Sequence, residues 1–277
     1  MITSKPIDAA TMQTYLAALD ARYGDYAPAQ GLRFRSSSQV EDDETFQGAG
    51  VGLSFTAFMH ANEFPPTSSH HDETIERAIK NVWATYWRSE GFEERRLAGI
   101  DQLSANMGIC VHARSDNSAE LANGDLFCSL EPPEVADAFT MELDVQPGPD
   151  PSVTNPNGST DLPEHDVVRQ DRDGVLHIDR VRATLSPDAD VLTSDDLQAL
   201  FHQCTSVAQY YFDTENTGVP VAQQRRSITL DMEFRKMAAG WPALATGPNP
   251  EGERLIFRQA ASIIPSTERI PATVKER

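Results

Sequence analysis

The chain contains 277 residues, of which 39% are hydrophobic, and this length is sufficient for one large domain or two lobes with a buried core. Its formal net charge is −19 at pH 7, which argues against a general nucleic-acid-binding surface and against binding to anionic lipid. This charge does not exclude a phosphate ligand, because a few arginines at one site are sufficient to bind it.

The sequence shows neither a targeting-signal pattern nor a cysteine motif. No stretch approaches eighteen unbroken apolar residues, and the start, MITSKPIDAATMQTYL, lacks the regions of a signal peptide, so we expect a cytoplasmic protein without a membrane partner. The three cysteines have no CxxC spacing, which predicts neither a disulfide framework nor a zinc site. Cys110 and Cys128 lie in apolar, strand-like runs and are predicted to be core residues.

Helical periodicity is the main pattern of the first hundred residues. A helix is predicted over 7–23 from a repeat of apolar side chains: Met12, Tyr15, Leu16, Leu19 and Tyr23. The segment LRFR at 32–35 is typical of a short strand. A stronger helix follows, with Ser68 or Ser69 as its expected cap, and its apolar face is predicted to pack in the core: Ile75, Ala78, Ile79, Val82, Trp83 and Tyr86.

Strand-like patterns are more frequent in the rest of the chain. Strands are predicted over 107–113, 124–130, 138–146, 227–235 and 253–263, with one further helix over 195–212. Residues 167–178 are typical of a hairpin with a two-residue turn at Asp173-Gly174. The Pro- and Gly-rich stretch 147–166 is predicted to be a long irregular loop.

The strand SITLDMEFR carries the first candidate site. Its apolar residues Leu230, Met232 and Phe234 are predicted to point to one face, so Asp231 and Glu233 share the other face, roughly 6–7 Å apart. This second face is either a charged, solvent-exposed surface or a site for a hard cation. Magnesium prefers carboxylate oxygens and usually shares its coordination shell with substrate phosphates.

The last strand offers a polar partner for these carboxylates. We predict that Leu255, Phe257 and Gln259 share one face of LIFRQAASI. A glutamine within an apolar strand needs a polar partner. If this strand pairs antiparallel with 227–235, Gln259 is expected near Glu233.

The segment RFRSSSQVEDDETFQGAG is the second candidate. Arg35 carries a guanidinium suited to phosphate oxygens, and Ser36 with the following serines offers further donors. Gly48 and Gly50 allow close approach of the backbone to a ligand. By itself, this segment is either a polar surface loop or a phosphate-binding loop.

Taken in order along the chain, these motifs resemble the nucleotide-binding domain of the pyruvate phosphate dikinase and phosphoenolpyruvate synthase family. RFRSSSQVEDDETFQGAG is similar to the family's RSS(A/S)xxED…F.G loop, and AIKNVWATYW…FEERRLAGID to its Trp-containing helix. NMGICVHA resembles the strand that borders adenine. ELANGDLFCS resembles the ANGVxFT segment, SVTNPNGSTDLPE the VTNPxxGSxPE loop, and LDMEFRK…ERLIFRQA the closing pair of strands. The likeness covers residues 30–262.

The resemblance implies an α+β fold of the ATP-grasp type, with mixed and antiparallel sheets and packed helices, in which two lobes clamp ATP and magnesium. We expect one domain over 1–277; two lobes of about 1–105 and 106–265 with a short C-terminal tail are the alternative division. The resemblance implies Arg35 as the catalytic, phosphate-contacting residue. It also implies further nucleotide-binding residues, Ser36, Val111, His112 and Asp231, and two magnesium ligands that also belong to the nucleotide site, Glu233 and Gln259.

Two departures from the family pattern concern cations. The closing motif reads Gln259-Ala260-Ala261 where the family has Q-x-R, so an alanine stands in place of an arginine. Arg258 is a neighbour of Gln259, but it is predicted to point to the opposite face of the strand. No Gly-Gly-Lys loop precedes Arg35, although the family usually has one that binds phosphate.

These features lead to two functional hypotheses. The first is an ATP- and magnesium-binding domain of a kinase-type phosphotransferase, with a second chain or further domain supplying the phosphate-binding lysine and the phosphohistidine. The second is a catalytically degenerate relative that acts as a binding or regulatory protein. Retained Arg35, Asp231, Glu233 and Gln259 favour the first hypothesis, whereas Ala261 and the absence of the family's phosphate-binding lysine favour the second.

Overall fold

The computed structural model describes residues 2–38, 42–43, 46–47, 52–103, 106–115, 117–149, 162–181, 189–246 and 251–263. The chain divides into two compact units: unit 1 is Met1–Asp116 with Ala239–Gly252, and unit 2 is Asn117–Ala238 with Glu253–Arg277. Helices and antiparallel sheets make up both units, which confirms the predicted α+β class. Gly48, Gly50 and most of the loop predicted over 147–166 lie outside the described residues.

The elements of unit 1 follow the predicted order. Its described helices are α1 (Ala9–Tyr23), α2 (Ile75–Thr85) and α3 (Ser89–Leu97), with short 3₁₀ turns at Ile2–Ser4, Ala61–Glu63 and Ser69–Asp72. Its described strands are β1 (Leu32–Ser38), β2 (Asp42–Asp43), β3 (Phe46–Gln47), β4 (Phe55–Ala57) and β5 (Met107–Ala113). In the described residues, the antiparallel strands β4-β1-β5 form one sheet, and β2 pairs with β3.

Polar side chains cap the first turns of α1 and α2. The Asp8 carboxylate accepts hydrogen bonds from two backbone amides in the first turn of α1. The cap predicted for α2 was wrong: Ser68 caps the short 3₁₀ turn, and Thr74 accepts from the Arg77 amide at the start of α2. The helix begins later than predicted because this separate turn precedes it.

The core of unit 1 lies on one face of its sheet. Leu32 and Phe34 of β1 are each 1% exposed and pack with the apolar stripe of α2, which confirms the predicted role of that stripe: Ile75, Ala78, Ile79 and Val82. Cys110 was predicted to be a core residue, but it is exposed. Alternation along β5 directs it to the face opposite the core, because its neighbours Ile109 and Val111 pack on the core side.

Unit 2 is built on a larger antiparallel sheet. Its described strands are β6 (Glu120–Leu130), β7 (Asp137–Pro147), β8 (Glu164–Asp171), β9 (Leu176–Val181), β10 (Ile228–Met237) and β11 (Arg254–Ile263). Helix α4 (Ser194–Asn216) joins β9 to β10, and 3₁₀ turns lie at Asn117–Ala119 and Val221–Gln223. Among the described residues, the strand order is β11-β10-β6-β7-β8-β9.

Helix α4 covers one face of this sheet. It begins with a capping box, in which Thr193 and Asp196 satisfy each other's backbone amides. The helix predicted over 195–212 is confirmed, and its apolar side packs on the sheet through Leu197, Leu200, Phe201, Cys204 and Ala208. Neither α4 nor any other described helix is long and apolar enough to cross a membrane.

Two glycines of unit 2 have structural roles, one in a turn and one in a close contact. The predicted β8–β9 hairpin is confirmed, but residues 172–175 form a longer turn than predicted, with Gly174 at a φ of 86°. In β6, a Cβ atom at Gly124 would lie 2.4 Å from the Phe234 ring. Glycine at this position therefore lets the Phe234 ring lie directly against the β6 backbone.

A buried charge cluster fixes the segment that leads into α4. Glu164 accepts hydrogen bonds from the amides of Val191 and Leu192, at 2.7 and 3.2 Å. Arg180 of β9 lies 2.9 Å from Asp190 and 3.7 Å from the fully buried Asp166. Burial and the charge of Glu164 raise the pKa of Asp166 to about 7, against an opposing effect of Arg180.

This cluster predicts a pH dependence of stability. Since the folded-state pKa of Asp166 lies above its ordinary value of 3.8, unfolding releases a proton between these values, and the folded state loses stability as pH rises through that range. Asp166→Asn removes the buried charge while retaining the shape of the side chain. At pH 8 we expect it to raise the free energy of unfolding by roughly 1–3 kcal/mol, with a smaller gain at pH 5.

Urea denaturation at both pH values measures this effect. Asp173→Asn, in the exposed hairpin turn, is the matched control and should change little at either pH. Equal unfolding free energies of Asp166→Asn and the wild-type chain at pH 8 would show that the ionised Asp166 carboxylate does not destabilise the folded state.

Candidate functional site

The residues predicted to form the site are divided between the two units. Unit 1 contains those predicted to bind phosphate and adenine: Arg35, Ser36, Val111 and His112. Unit 2 contains those predicted to bind the cation: Asp231, Glu233 and Gln259.

Strand β10 separates apolar and charged side chains as the sequence predicted. Leu230, Met232 and Phe234 are at most 1% exposed and pack in the core under α4. The intervening Asp231 and Glu233 are partly exposed and lie on the opposite face of the sheet. A slip of one residue would bury both carboxylates, so packing of the apolar residues strongly fixes where the carboxylates lie.

The pairing of β10 with β11 is also confirmed. The two strands are antiparallel, and Glu233 is the register partner of Gln259. Ala261, the residue at the position of the family's arginine, is the register partner of Asp231. The side chain of Gln259 is outside the described part of the structure, so its contact with a cation stays a prediction.

A β-bulge changes the faces predicted for β11. Phe257 pairs with Phe234, whereas Gln259 pairs with Glu233, so Arg258 is an extra residue between two adjacent pairs. The prediction that Phe257 and Gln259 share one face of the strand therefore does not agree with the register. The prediction that Arg258 points away from the carboxylates is also wrong, because its Nη1 lies 3.8 Å from Oε2 of Glu233.

Asp125 is a third carboxyl on this face and was missed by the motif analysis. It is the register partner of Glu233 on β6, and its Oδ1 is buried without a hydrogen-bond partner among the described residues. Burial, followed by the charge of Asp231, a hydrogen bond with Asp231 and the charge of Glu233, raises the pKa of Asp125 to about 7. An acid inside the apolar run LANGDLFC was the available sequence signal.

We refer to Asp125, Asp231 and Glu233 as the carboxylate face. Its neighbour Arg235 forms an ion pair with Glu120, whose side chain is fully buried, so this arginine is held by a different acid. The exposed ring of Phe127 lies beside Asp231 in the register. The carboxylate face therefore combines crowded negative charge with an exposed aromatic ring.

In unit 1, strand β1 has a similar division between its faces. Arg33 and Arg35 alternate with the buried Leu32 and Phe34, and so lie on the face opposite α2. The register places His112 beside Arg33 and Cys110 beside Arg35. We call Arg33 and Arg35 the arginine face; the motif RFRSSS contains Arg33, but the sequence analysis assigned a role only to Arg35.

The other predicted unit 1 residues do not share one face. Ser36 and Val111 lie on the same side of the sheet as Phe34, whereas His112 lies on the side of Arg35. Val111 lines an apolar pocket of about 320 Å³ together with Trp83 and Leu19. Its carbonyl oxygen accepts a hydrogen bond of 2.7 Å from the Tyr23 hydroxyl, so this acceptor is already used.

The chemistry of the carboxylate face fits a hard cation. Burial is the largest cause of the raised pKa of Asp125, and the charges of Asp231 and Glu233 add to it. A positive ion would offset this added repulsion, and carboxylate oxygens are preferred ligands of Mg²⁺. Within the described part of the chain, no group of three or more His, Cys, Asp or Glu residues is arranged to hold a metal ion. Magnesium at Glu233 would thus follow its common mode of binding, with one or two carboxylates and additional ligands from phosphate.

Comparison with known proteins assigns no family: no protein-family model matches the chain, and no curated protein matches its sequence. The function is therefore inferred from the motifs and from the charge and geometry of the two faces.

The crowding of charge on the carboxylate face predicts coupled titration. Asp231→Asn removes the neighbouring charge with the larger effect on Asp125, and should lower the pKa of Asp125 from about 7 toward 3.8. Glu233→Gln should lower it by a smaller amount. Carbon-detected NMR titration of the aspartate carboxyl groups measures both shifts.

Glu142→Gln is the matched control for this titration. Glu142 is exposed on β7 and lies on the same face as Asp125, as the register partner of Phe127. It should leave the pKa of Asp125 nearly unchanged, because Glu142 is not among the groups that raise it. An equal shift in all three variants would contradict specific coupling among Asp125, Asp231 and Glu233.

Proposed function

We propose that the chain is an ATP- and magnesium-binding domain of the ATP-grasp type, related to pyruvate phosphate dikinase and phosphoenolpyruvate synthase. In this proposal it takes part in ATP-dependent phosphoryl transfer, and a further domain or chain completes the turnover. The observation that carries the proposal is the register of β10, which sets Glu233 between Asp125 and Gln259.

The position of Glu233 supports cation binding for a physical reason. Three carboxyl groups lie close together on two adjacent strands; burial is the largest cause of the raised pKa of Asp125, and repulsion by Asp231 and Glu233 adds to it. Such an arrangement lowers stability unless a positive charge offsets it, and strongly shifted carboxyl groups often mark functional sites. A magnesium ion with its bound phosphates is a ligand that matches carboxylate chemistry.

The proposed roles divide the chemistry between the two faces. Glu233 and Gln259 would bind the magnesium, with Asp231 beside them, and Arg35 would contact the phosphates of ATP. When bound, magnesium would supply neutralisation of the phosphate charge, which phosphoryl transfer requires. Arg33 shares the face of Arg35 and adds positive charge there.

The geometry of β5 restricts how the base could be recognised. Val111 and His112 lie on opposite faces of the sheet, and the carbonyl of Val111 accepts from Tyr23. In the proposal, adenine is therefore bound through other backbone groups of the 109–114 segment or through His112. A preference for ATP over GTP in isothermal titration calorimetry would support this role.

A second candidate function is a non-catalytic binding or regulatory protein with the same fold. Ala261 favours it, because alanine supplies no positive charge beside Asp231, its register partner. Loss of a cation that stabilises a transferring phosphoryl group lowers the rate by several orders of magnitude. Binding of ATP without release of phosphate or AMP over hours would favour this second function.

Isothermal titration calorimetry with ATP, with and without Mg²⁺, tests the proposal. Arg35→Gln should weaken ATP binding by roughly tenfold or more in both conditions, because it removes a charge-assisted phosphate contact. Glu233→Gln should weaken binding only when Mg²⁺ is present, because its role is to bind the cation.

The control is Arg22→Gln, which removes an exposed arginine of α1 and the same amount of charge from unit 1. It should bind ATP like the wild-type chain. No heat of binding from the wild-type chain with ATP and Mg²⁺ would overturn the proposed function. Equal losses for Arg22→Gln and Arg35→Gln would reduce the role of Arg35 to a general charge effect.

A further inference from the structure

Strand β9 forms one edge of the large sheet in unit 2. Within the described part of the chain, β8 is its one strand neighbour. The Asp171 amide donates to the Val175 carbonyl at 3.1 Å, and the direction of bonding then alternates along an antiparallel ladder. The backbone N–H and C=O groups of Leu176, Ile178 and Arg180 therefore point away from β8, toward the open side of the strand.

The outer face of this edge has apolar residues at its two ends and polar residues between them. Val175 and Val181 are 51% and 65% exposed. Alternation places His177 and Asp179 between these valines, on the same face. Charged side chains on an edge strand usually oppose its pairing with another strand. Whether they do so in β9 depends on which residues they would meet.

One antiparallel register of two β9 strands brings complementary side chains together. With Ile178 opposite Ile178 of a second copy, His177 lies opposite Asp179 and Val175 lies opposite Val181, and each of these contacts occurs twice. The same register joins every outward-pointing residue of β9 in a hydrogen-bonded pair. A shift by two residues would instead place His177 opposite His177, or Asp179 opposite Asp179, and would separate the valines.

We propose that β9 is the interface between two copies of this chain, paired antiparallel about Ile178, so that their large sheets form one continuous sheet. Existing contacts on the outer face are compatible with this pairing. Asp179 keeps its ion pair with Arg169, and His177, which lies 3.5 Å from Asp171, meets a second carboxylate from the other copy. The interface goes beyond the proposed nucleotide chemistry and does not depend on it.

Two physical effects would favour this pairing. The backbone groups on the open side of β9 would gain partners that a folded chain supplies without rearrangement. Burial would remove the exposed Val175 and Val181 side chains from water. On the other face, Leu176 and Ile178 are only partly buried against the core, so a second copy would also extend their apolar contacts.

Sedimentation velocity over a wide range of concentrations tests the interface. We expect the wild-type chain to show a monomer–dimer equilibrium. Ile178→Pro should weaken the dimer by roughly tenfold or more, because it removes an outward-pointing amide at the centre of the interface. This amide does not bond to β8, so the hairpin can be retained. A wild-type chain that stays monomeric would overturn the proposal, as would a dimer that Ile178→Pro leaves unchanged.

An exchange of charges tests the register without a proline. His177→Asp should weaken the dimer by roughly tenfold, since two carboxylates would then face each other at both symmetric contacts. Adding Asp179→His to that variant should restore most of the affinity. His202→Asp is the matched control, because His202 is exposed on α4 and its replacement changes the charge equally. Equal weakening by the control, or no recovery in the double variant, would overturn the register.

Disulfide cross-linking reads the same register directly. Cys110→Ser is the background, because Cys110 is an exposed thiol. Mixed in this background, Val175→Cys and Val181→Cys should form a linked heterodimer, since opposed residues in antiparallel strands lie about 4.5–5.5 Å apart. Either variant alone should not cross-link, because its two thiols would be about 20 Å apart. Equal cross-linking in the mixture and in the separate variants would contradict the register, and circular dichroism verifies that each variant is folded.

Discussion

The two-residue alternation of β10 is the constraint on which the organisation of unit 2 depends. Leu230, Met232 and Phe234 are buried under α4, and complete burial of each such side chain stabilises the fold by about 1.5–3 kcal/mol. Because side chains alternate between the two faces of a strand, burial of these residues places Asp231 and Glu233 on the other face. The hydrophobic core thus holds two like charges near each other, although their mutual repulsion opposes this arrangement. The same alternation occurs in β1 of unit 1, where the burial of alternate residues places positively charged arginines on the opposite face.

Two aspartates with equally raised pKa values show that a shifted pKa does not by itself indicate function. Burial and acidic neighbours raise the pKa of Asp125 and of Asp166 to about 7. Asp166 is fully buried near Arg180, in a cluster that fixes the segment before α4, so its unusual environment has a structural explanation. Asp125 lies instead on the face opposite α4, beside the partly exposed Glu233. The position of the carboxyl group, more than the size of its shift, makes Asp125 the better candidate for contact with a ligand.

The sequence predicted the features that follow from periodicity. It predicted α4, the positions of most strands along the chain and the division of β10 into apolar and acidic faces, because each of these depends on a regular repeat of buried residues. It also predicted the antiparallel partner of Glu233, since a glutamine within an apolar strand needs a polar neighbour. The exposure of Cys110 was not predictable in the same way, because an apolar run does not reveal which face of a strand is covered. The third carboxyl, Asp125, required knowledge of which strand lies beside β10, and this is a property of the tertiary fold.

The bulge at Arg258 is the feature that sequence periodicity could not supply and that most changes the view of the site. A single extra residue breaks the alternation of β11, which allows Phe257 to face the core and Gln259 to pair with Glu233 at the same time. A regular strand would have placed both on one face and directed Arg258 away from the carboxylates. In a regular strand, no cation of this motif would lie beside Glu233. In the structure, the Arg258 guanidinium lies 3.8 Å from the Glu233 carboxylate. The absence of an arginine at Ala261 does not leave the carboxylate face without positive charge, because backbone irregularity brings a guanidinium from a position that no pattern of alternation predicts.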